Sequence, residues 1–311
     1  MNTHHIGWIG LGNAGHPMAA CLAKKGYRLI VRDADPTRGI DFVDEYEKCR
    51  VATLDPDCFQ ECDVVITMLP NGKVVKDVLL GDHGVAPHLK PGSVVIDTSS
   101  SSPFDTRSLG EELSKLSVDL VDSPITQEKL HAIDTGGATL MVGSNSPTAL
   151  EKVLPLLKDM SSHVFPMGSL GSGHTMKTLN NYVSVGSIIA LCDALVTGKK
   201  LGLDPQTMID VMNVGTGINF STAYSMRNLK SYDTGYQLEL LVKDVKIAKE
   251  VIEESGFKSE LPGLALEYLQ DALKMVDKGA CHSECLRSWE QRAGVEIKKT
   301  ERAKDDSGSG T

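Results

Sequence analysis

The chain has 311 residues, with 32 Lys+Arg against 41 Asp+Glu and a formal net charge of −9. That length fits about two domains of ~150 residues each, and 41% hydrophobic with 23% charged residues is an ordinary globular composition. The acidic balance argues against nucleic acid or an anionic membrane as partner, no uninterrupted apolar run approaches the ~20 residues of a bilayer span, and the N-terminus lacks the pattern of a secretory signal; the expectation is a cytosolic protein.

In chain order, short β-branched runs predict strands at Ile6–Ile9, Arg28–Arg32, Val64–Leu69, Val94–Asp97, Asp119–Val121 and Thr139–Val142. Between several of them lie segments of helical length: Gly15–Lys25, Val74–Leu80 and Pro103–Lys115. Strands separated by such helices imply crossover units and a mainly parallel, doubly wound α/β sheet. After Gly171 the pattern becomes all-helical, with Thr175–Gly198, Pro205–Met212, Leu238–Glu254 and Leu261–Val276. The expected division is residues 1–167 as a dinucleotide-binding domain and 168–300 as a helical domain, joined by the long helix from Thr175. The polar stretch 301–311, ending Ser-Gly-Ser-Gly-Thr, has the composition of a disordered tail. Seven cysteines include the spaced pairs Cys58/Cys62 and Cys281/Cys285. Neither pair is completed to a tetrahedral zinc set, so no metal is expected.

Gly10-Leu11-Gly12-Asn13-Ala14-Gly15 follows one predicted strand and opens a helix. In that context Gly10 serves the tight turn, Gly12 the close approach of a pyrophosphate, and Gly15 the packing of helix on strand. The helix start then offers unpaired N–H groups to the phosphates. Asp33 ends the second strand, placed to bind the ribose diol and to favour NAD; Arg32 and Arg38 nearby keep NADP open. Beyond the next strand ends, Leu69 and Pro70 are candidates to pack on the cofactor. Thr98 and Ser99 are candidates to donate to it or to a substrate. Ser101 and Ser102 before Pro103 fit helix capping as well as ligand contact.

Gly171-Ser172-Gly173 opens the bridging helix, and Lys177 and Asn181, four residues apart, share one helical face. A lysine in an apolar cleft can act as general acid/base near neutral pH; alone on a helix, it is an ordinary solvated side chain.

The order of Gly10–Ala19, Asp97-Thr98-Ser99, Gly171-Ser172-Gly173 with Lys177, Asn180 and Asn181, and Lys243-Asp244 with Ala248 resembles the β-hydroxyacid dehydrogenase family, over about residues 5–295. The resemblance implies an N-terminal Rossmann domain, an all-α C-terminal domain, and homodimers or homotetramers. It also implies reversible hydride transfer between nicotinamide and the CH–OH of a small 3-hydroxyacid. Lys177 would be the acid/base, Asn181 would orient the substrate, and Lys243 would lie near the nicotinamide. In Asn213-Val214-Gly215-Thr216-Gly217 with Phe220 it implies a substrate-side loop closed by an aromatic.

One segment departs from the family. Asp122-Ser123-Pro124-Ile125-Thr126-Gln127-Glu128 stands where Asp-Ala-Pro-Val-Ser-Gly-Gly is usual, so Gln127 and Glu128 replace the glycines that approach the substrate carboxylate. Either Thr126, Lys129 or Asn181 holds the acid group, or the substrate differs, a sulfonate-bearing aldehyde being one candidate and an amine facing Glu128 another. Side chains of Gln127 and Glu128 turned to solvent are the plain alternative. A catalytically inactive dinucleotide binder is a further reading, against which Lys177, Asn181 and Lys243 count. Imine reduction fits less well, because members with that activity commonly lack the lysine.

Overall fold

The computed structural model describes residues 5–53, 55–127, 137–227, 229 and 236–297. The tail 301–311, Glu128 and Lys129, and the side chain of Gln127 lie outside the described residues. The chain divides into two compact units, Met1–Lys177 and Thr178–Thr311.

The first unit is a nine-stranded sheet among the described residues. Its strands are β1 (Ile6–Ile9), β2 (Leu29–Arg32), β3 (Arg50–Val51), β4 (Val64–Thr67), β5 (Val94–Asp97), β6 (Asp119–Asp122), β7 (Ile125–Gln127), β8 (Ala138–Ser144) and β9 (His163–Gly168). The order β3-β2-β1-β4-β5-β6 is parallel throughout. It reverses direction between β1 and β4, which makes the carboxyl ends of those strands the switch point where ligands bind in such sheets. Beyond β6 the sheet turns mixed: β8 runs antiparallel to both β6 and β7, and β9 runs parallel to β8.

Alternation along each strand builds two cores, one on each face. Trp8, Ile66, Ile96 and Val121 face α1 (Gly15–Lys24), α2 (Pro36–Glu45) and α5 (Pro147–Met160), which contribute Met18, Phe42 and Leu157. Ile9, Val65, Val95 and Leu120 face α3 (Gly72–Leu80) and α4 (Pro103–Ser114), which contribute Leu79 and Leu113. Burying a side chain of this size contributes roughly 1.5–3 kcal/mol. Thr67, Asp97 and Asp122 share the alternation of the second set and stand at the strand ends, so that face finishes in polar groups.

The second unit is helical: the body of α6 (Ser172–Lys200), then α7 (Pro205–Val214), α8 (Leu238–Glu254), α9 (Leu261–Leu273) and α10 (Leu286–Ala293). Its core gathers Val185, Cys192, Leu195, Ile209, Leu241, Val245, Leu269 and Trp289. Asp204 caps α7 through the Thr207 N–H at 2.8 Å, with Pro205 in the first turn, which is why the chain breaks there. The absence of a span-length apolar segment does not hold for α6: by length and composition it is long and apolar enough to cross a membrane, with 39% of its apolar window buried inside the fold. The polar residues Asn180, Asn181 and Asp193 interrupt the run, which is why no continuous stretch marks it in the sequence.

Candidate active site

The glycine loop after β1 explains itself position by position. Gly10 has φ +104°, and a Cβ there would stand 2.2 Å from Met68 O. A Cβ on Gly15 would stand 2.0 Å from Gly10 O. Both glycines are required by the protein's own backbone. Gly12 is different, because its nearest neighbour would be Arg38 Nη1 at 3.6 Å, an ordinary contact. The loop therefore holds a glycine that the packing of the fold does not require, with only a side chain at contact distance. Helices α2, α3, α4 and α5 are each capped by a side chain: Asp35, Asn71, Ser102 and Ser146. At α1 the cap position is Ala14, whose side chain makes no capping hydrogen bond. An open glycine beside an uncapped helix start fits a dinucleotide's pyrophosphate.

Asp33 fixes this loop. Its Oδ2 accepts from Leu11 N at 2.6 Å and its Oδ1 from Asp35 N at 2.9 Å. Each carboxylate oxygen retains acceptor capacity for a ribose hydroxyl. Arg38 lies 3.9 Å from Asp33 Oδ1 and is about half exposed. Leu11 is buried and serves the core, Asn13 is exposed, and Leu69 packs toward Gly10 while Pro70 is exposed.

Thr98 and Ser99 both engage their hydroxyls within the fold. Both are 1% exposed. Thr98 Oγ1 donates to Thr67 O at 2.6 Å, and Ser99 Oγ accepts from Leu69 N at 2.9 Å. These groups close the ends of β4 and β5 and hold the Leu69 loop. Ser102 caps α4 by accepting from Phe104 N at 3.3 Å, whereas Ser101 donates to Asp97 Oδ2 at 3.0 Å.

Lys177 is half-buried, one turn beyond the start of α6. That start is seated on Asp122, whose Oδ1 accepts from Gly171 N at 2.7 Å and Oδ2 from His174 N at 2.8 Å. A Cβ on Gly173 would stand 2.2 Å from Met141 O, so the glycine lets the helix start reach the sheet. These contacts carry the first turn of α6 into the first unit, past the expected 167/168 division. The seat was not among the expected site residues; its signal was Asp122 at a strand end, legible only once the glycines were placed against it.

In the second unit, Asn181 Nδ2 donates to Asp244 Oδ2 at 2.6 Å, and Tyr236 OH donates to the same oxygen at 2.5 Å. Lys243 Nζ lies 3.3 Å from Asp244 Oδ1. Burial, then the charge of Asp244 and its hydrogen bond, push the Tyr236 phenol well above its ordinary value, so it stays a donor. Asp244 is 6% exposed and joins two expected site residues, Asn181 and Lys243. Sequence reading quoted Asp244 in the motif with Lys243 but gave a role only to its neighbour. Phe220 is half-buried and packs on Tyr224 at 5.1 Å between ring centroids. It precedes the turn Ser221–Ser225, which Asn219 Oδ1 fixes through Ser221 N at 2.9 Å. Thr126 is half-buried on β7, opposite Thr139 of β8. Among the described residues, no group of three or more His, Cys, Asp or Glu side chains is arranged to hold a metal.

Residues 5–168 match the model of the NAD-binding domain of 6-phosphogluconate dehydrogenase, and residues 171–289 that of the NAD-binding region of NADP-dependent 3-hydroxyisobutyrate dehydrogenase. The chain is 28% identical over 302 residues to 2-(hydroxymethyl)glutarate dehydrogenase of Eubacterium barkeri, covering 94% of this chain and 97% of that one. It is 32% identical over 256 residues to mitochondrial 3-hydroxyisobutyrate dehydrogenase of Rattus norvegicus, covering 79% and 75%. The solved Mycobacterium tuberculosis 3-hydroxyisobutyrate dehydrogenase with L-serine superposes with a TM-score of 0.79 at 25% identity, over 92% of this chain and 98% of that one. With the dinucleotide cradle of the first unit in place, these matches mean that the chain belongs to the β-hydroxyacid dehydrogenase family of NAD(P)-binding oxidoreductases.

Proposed function

We propose that this protein is an NAD-dependent 3-hydroxyacid dehydrogenase, working in either direction between a small 3-hydroxyacid and its carbonyl partner. The observation that carries the reading is the open Gly12 beside the uncapped start of α1. Asp33 supports NAD over NADP, because a carboxylate there binds the ribose diol and repels a 2′-phosphate. When bound, the nicotinamide supplies the hydride chemistry.

Lys177 takes the proton from the substrate hydroxyl in oxidation and returns it to the carbonyl oxygen in reduction, so it must be neutral at the start of the first and charged at the start of the second. In this reading Asn181 orients the substrate, its amide fixed by Asp244, and Lys243, its Nζ 3.3 Å from Asp244 Oδ1, would serve the nicotinamide when it is bound. In this reading the segment Thr126-Gln127-Glu128 sets which acid is accepted, and Phe220 contributes to substrate recognition. Replacing Lys177 with Ala lowers kcat by ~10²–10⁴ while dinucleotide affinity stays near normal. Near-full kcat in that variant would rule out the assignment.

Assembly as a homodimer or homotetramer belongs to the same proposal. It is supported by apolar side chains left in the open on the second unit, among them Leu201 at 77%, Val214 at 90% and Phe257 at 67% exposure. Light scattering on the purified protein tests it, and a monomer would contradict it.

A further inference from the structure

His174, which the proposed mechanism does not use, is fully buried (0% exposed) in the first turn of α6. Its ring lies among groups from α4, β5, β6 and the loop after β5. Nδ1 is 2.8 Å from Thr106 Oγ1 on α4, and Nε2 is 3.1 Å from the Ser99 carbonyl after β5. The carboxylates of Asp122 and Asp97, ending β6 and β5, lie 3.7 Å from Nδ1 and 3.8 Å from Nε2. Both are buried as well, at 0% and 2% exposure.

The ring is fixed at both nitrogens. The Ser99 carbonyl only accepts, so Nε2 donates to it. Thr106 Oγ1 holds Nδ1 and also reaches Ser102 O at 3.0 Å, a carbonyl that already accepts from Thr106 N. In a buried site, losing either contact costs about a hydrogen bond. Asp97 is held in turn by Thr67 Oγ1 at 2.9 Å, Ser99 N at 3.0 Å and Ser101 Oγ at 3.0 Å. Asp97, Ser101 and Thr106 also border a cavity of about 220 Å³, where the further charged groups are Lys73, Lys76 and Asp105.

This cluster ties two functional segments together. Ser99 holds the Leu69 loop through its hydroxyl and His174 through its carbonyl. Asp122 faces the ring and seats the backbone of α6. Lys177 follows His174 by three residues on the same helix, so it stands nearly above it. We propose that His174, held at both ring nitrogens between Asp97 and Asp122, is the positioning residue that sets Lys177 against the strand ends of the dinucleotide-binding unit. The positioning role rests on the dehydrogenase reading; the hydrogen bonds of the ring do not.

The experiment has one arm for each. Long-range ¹⁵N–¹H correlation on the ¹⁵N-histidine-labelled full-length protein, with His174→Gln for assignment, is expected to show a proton on Nε2 of His174, the nitrogen facing the Ser99 carbonyl. A bare Nε2 would overturn the arrangement. In His174→Gln, kcat for hydroxyacid oxidation is expected to fall about 10–100-fold, while dinucleotide Kd stays within about twofold. The acetylation rate of Lys177, read by mass spectrometry without any turnover, is expected to shift severalfold. An unchanged kcat and an unchanged acetylation rate would overturn the positioning role. Loss of hydroxyacid turnover in the wild type would count against the dehydrogenase reading alone, since the spectrum and the lysine reactivity still decide the role of His174.

Discussion

Two helices in this chain begin at a Gly-x-Gly, and they treat that beginning in opposite ways. At α1 the second glycine, Gly12, would set a Cβ against no backbone, only against Arg38 Nη1 at 3.6 Å, and the Ala14 side chain does not cap the helix. At α6 the second glycine, Gly173, is pressed against Met141 O, and Asp122 accepts from two backbone N–H groups of the helix start. Both solutions answer the same need, an anion at the positive end of a helix dipole. In one the anion is left to come from outside; in the other the chain supplies it. The first makes a binding site and the second makes a foundation, on which Lys177 stands.

The largest test of this contrast is Gly173→Ala. The new Cβ would fall within 2.2 Å of Met141 O and 2.8 Å of Asp122 Oδ2, so α6 must leave its seat. The expected loss is about 3 kcal/mol of unfolding free energy, measured by chemical denaturation. Gly12→Ala should do the reverse. Its stability should stay within about 0.5 kcal/mol of wild type, while dinucleotide Kd weakens roughly 10–100-fold in a fluorescence titration. Equal stability losses in the two variants would erase the distinction. Asp33→Ser is the smallest of the three: it removes the carboxylate facing the ribose and leaves Arg38 in place. The ratio of NADP to NAD affinity should rise about tenfold. An unmoved ratio would mean that Asp33 only braces the loop through Leu11 and Asp35.

Strands β1, β2, β4, β5 and β6 of the parallel order were legible in the sequence as short apolar runs closed by turns, whereas the two-residue β3 (Arg50–Val51) was not. Val94–Asp97 and Leu238–Glu254 coincide with β5 and α8. The elements that sequence reading passed over have weak local signals. α2 begins at an Asp-Pro and carries few apolar residues, β9 holds Pro166 and is largely exposed, and α5 contains Pro155. The glycine loop and Asp33 could be read because their spacing is fixed locally. The roles of Asp122, His174 and Asp244 could not, because each depends on partners dozens of residues away: Gly171, Thr106 and Asn181. For the same reason the sequence could not show that the Thr98 hydroxyl donates to Thr67 O, nor that the Ser99 hydroxyl accepts from Leu69 N while keeping its own proton.

The most direct test of the central claim is turnover by the purified wild-type protein, followed by the near-ultraviolet absorbance of reduced dinucleotide. Each of NAD and NADP is supplied with 3-hydroxyisobutyrate, 3-hydroxypropionate, serine, glycerate, threonate and dihydroxypropanesulfonate in turn. The account predicts reduction of NAD, in preference to NADP, by at least one of the 3-hydroxyacids. Reduction with the sulfonate alone would show that Gln127 and Glu128 have redirected the site. No reduction of either dinucleotide by any of the six would contradict the assignment of this chain as a working dehydrogenase of small 3-hydroxyacids.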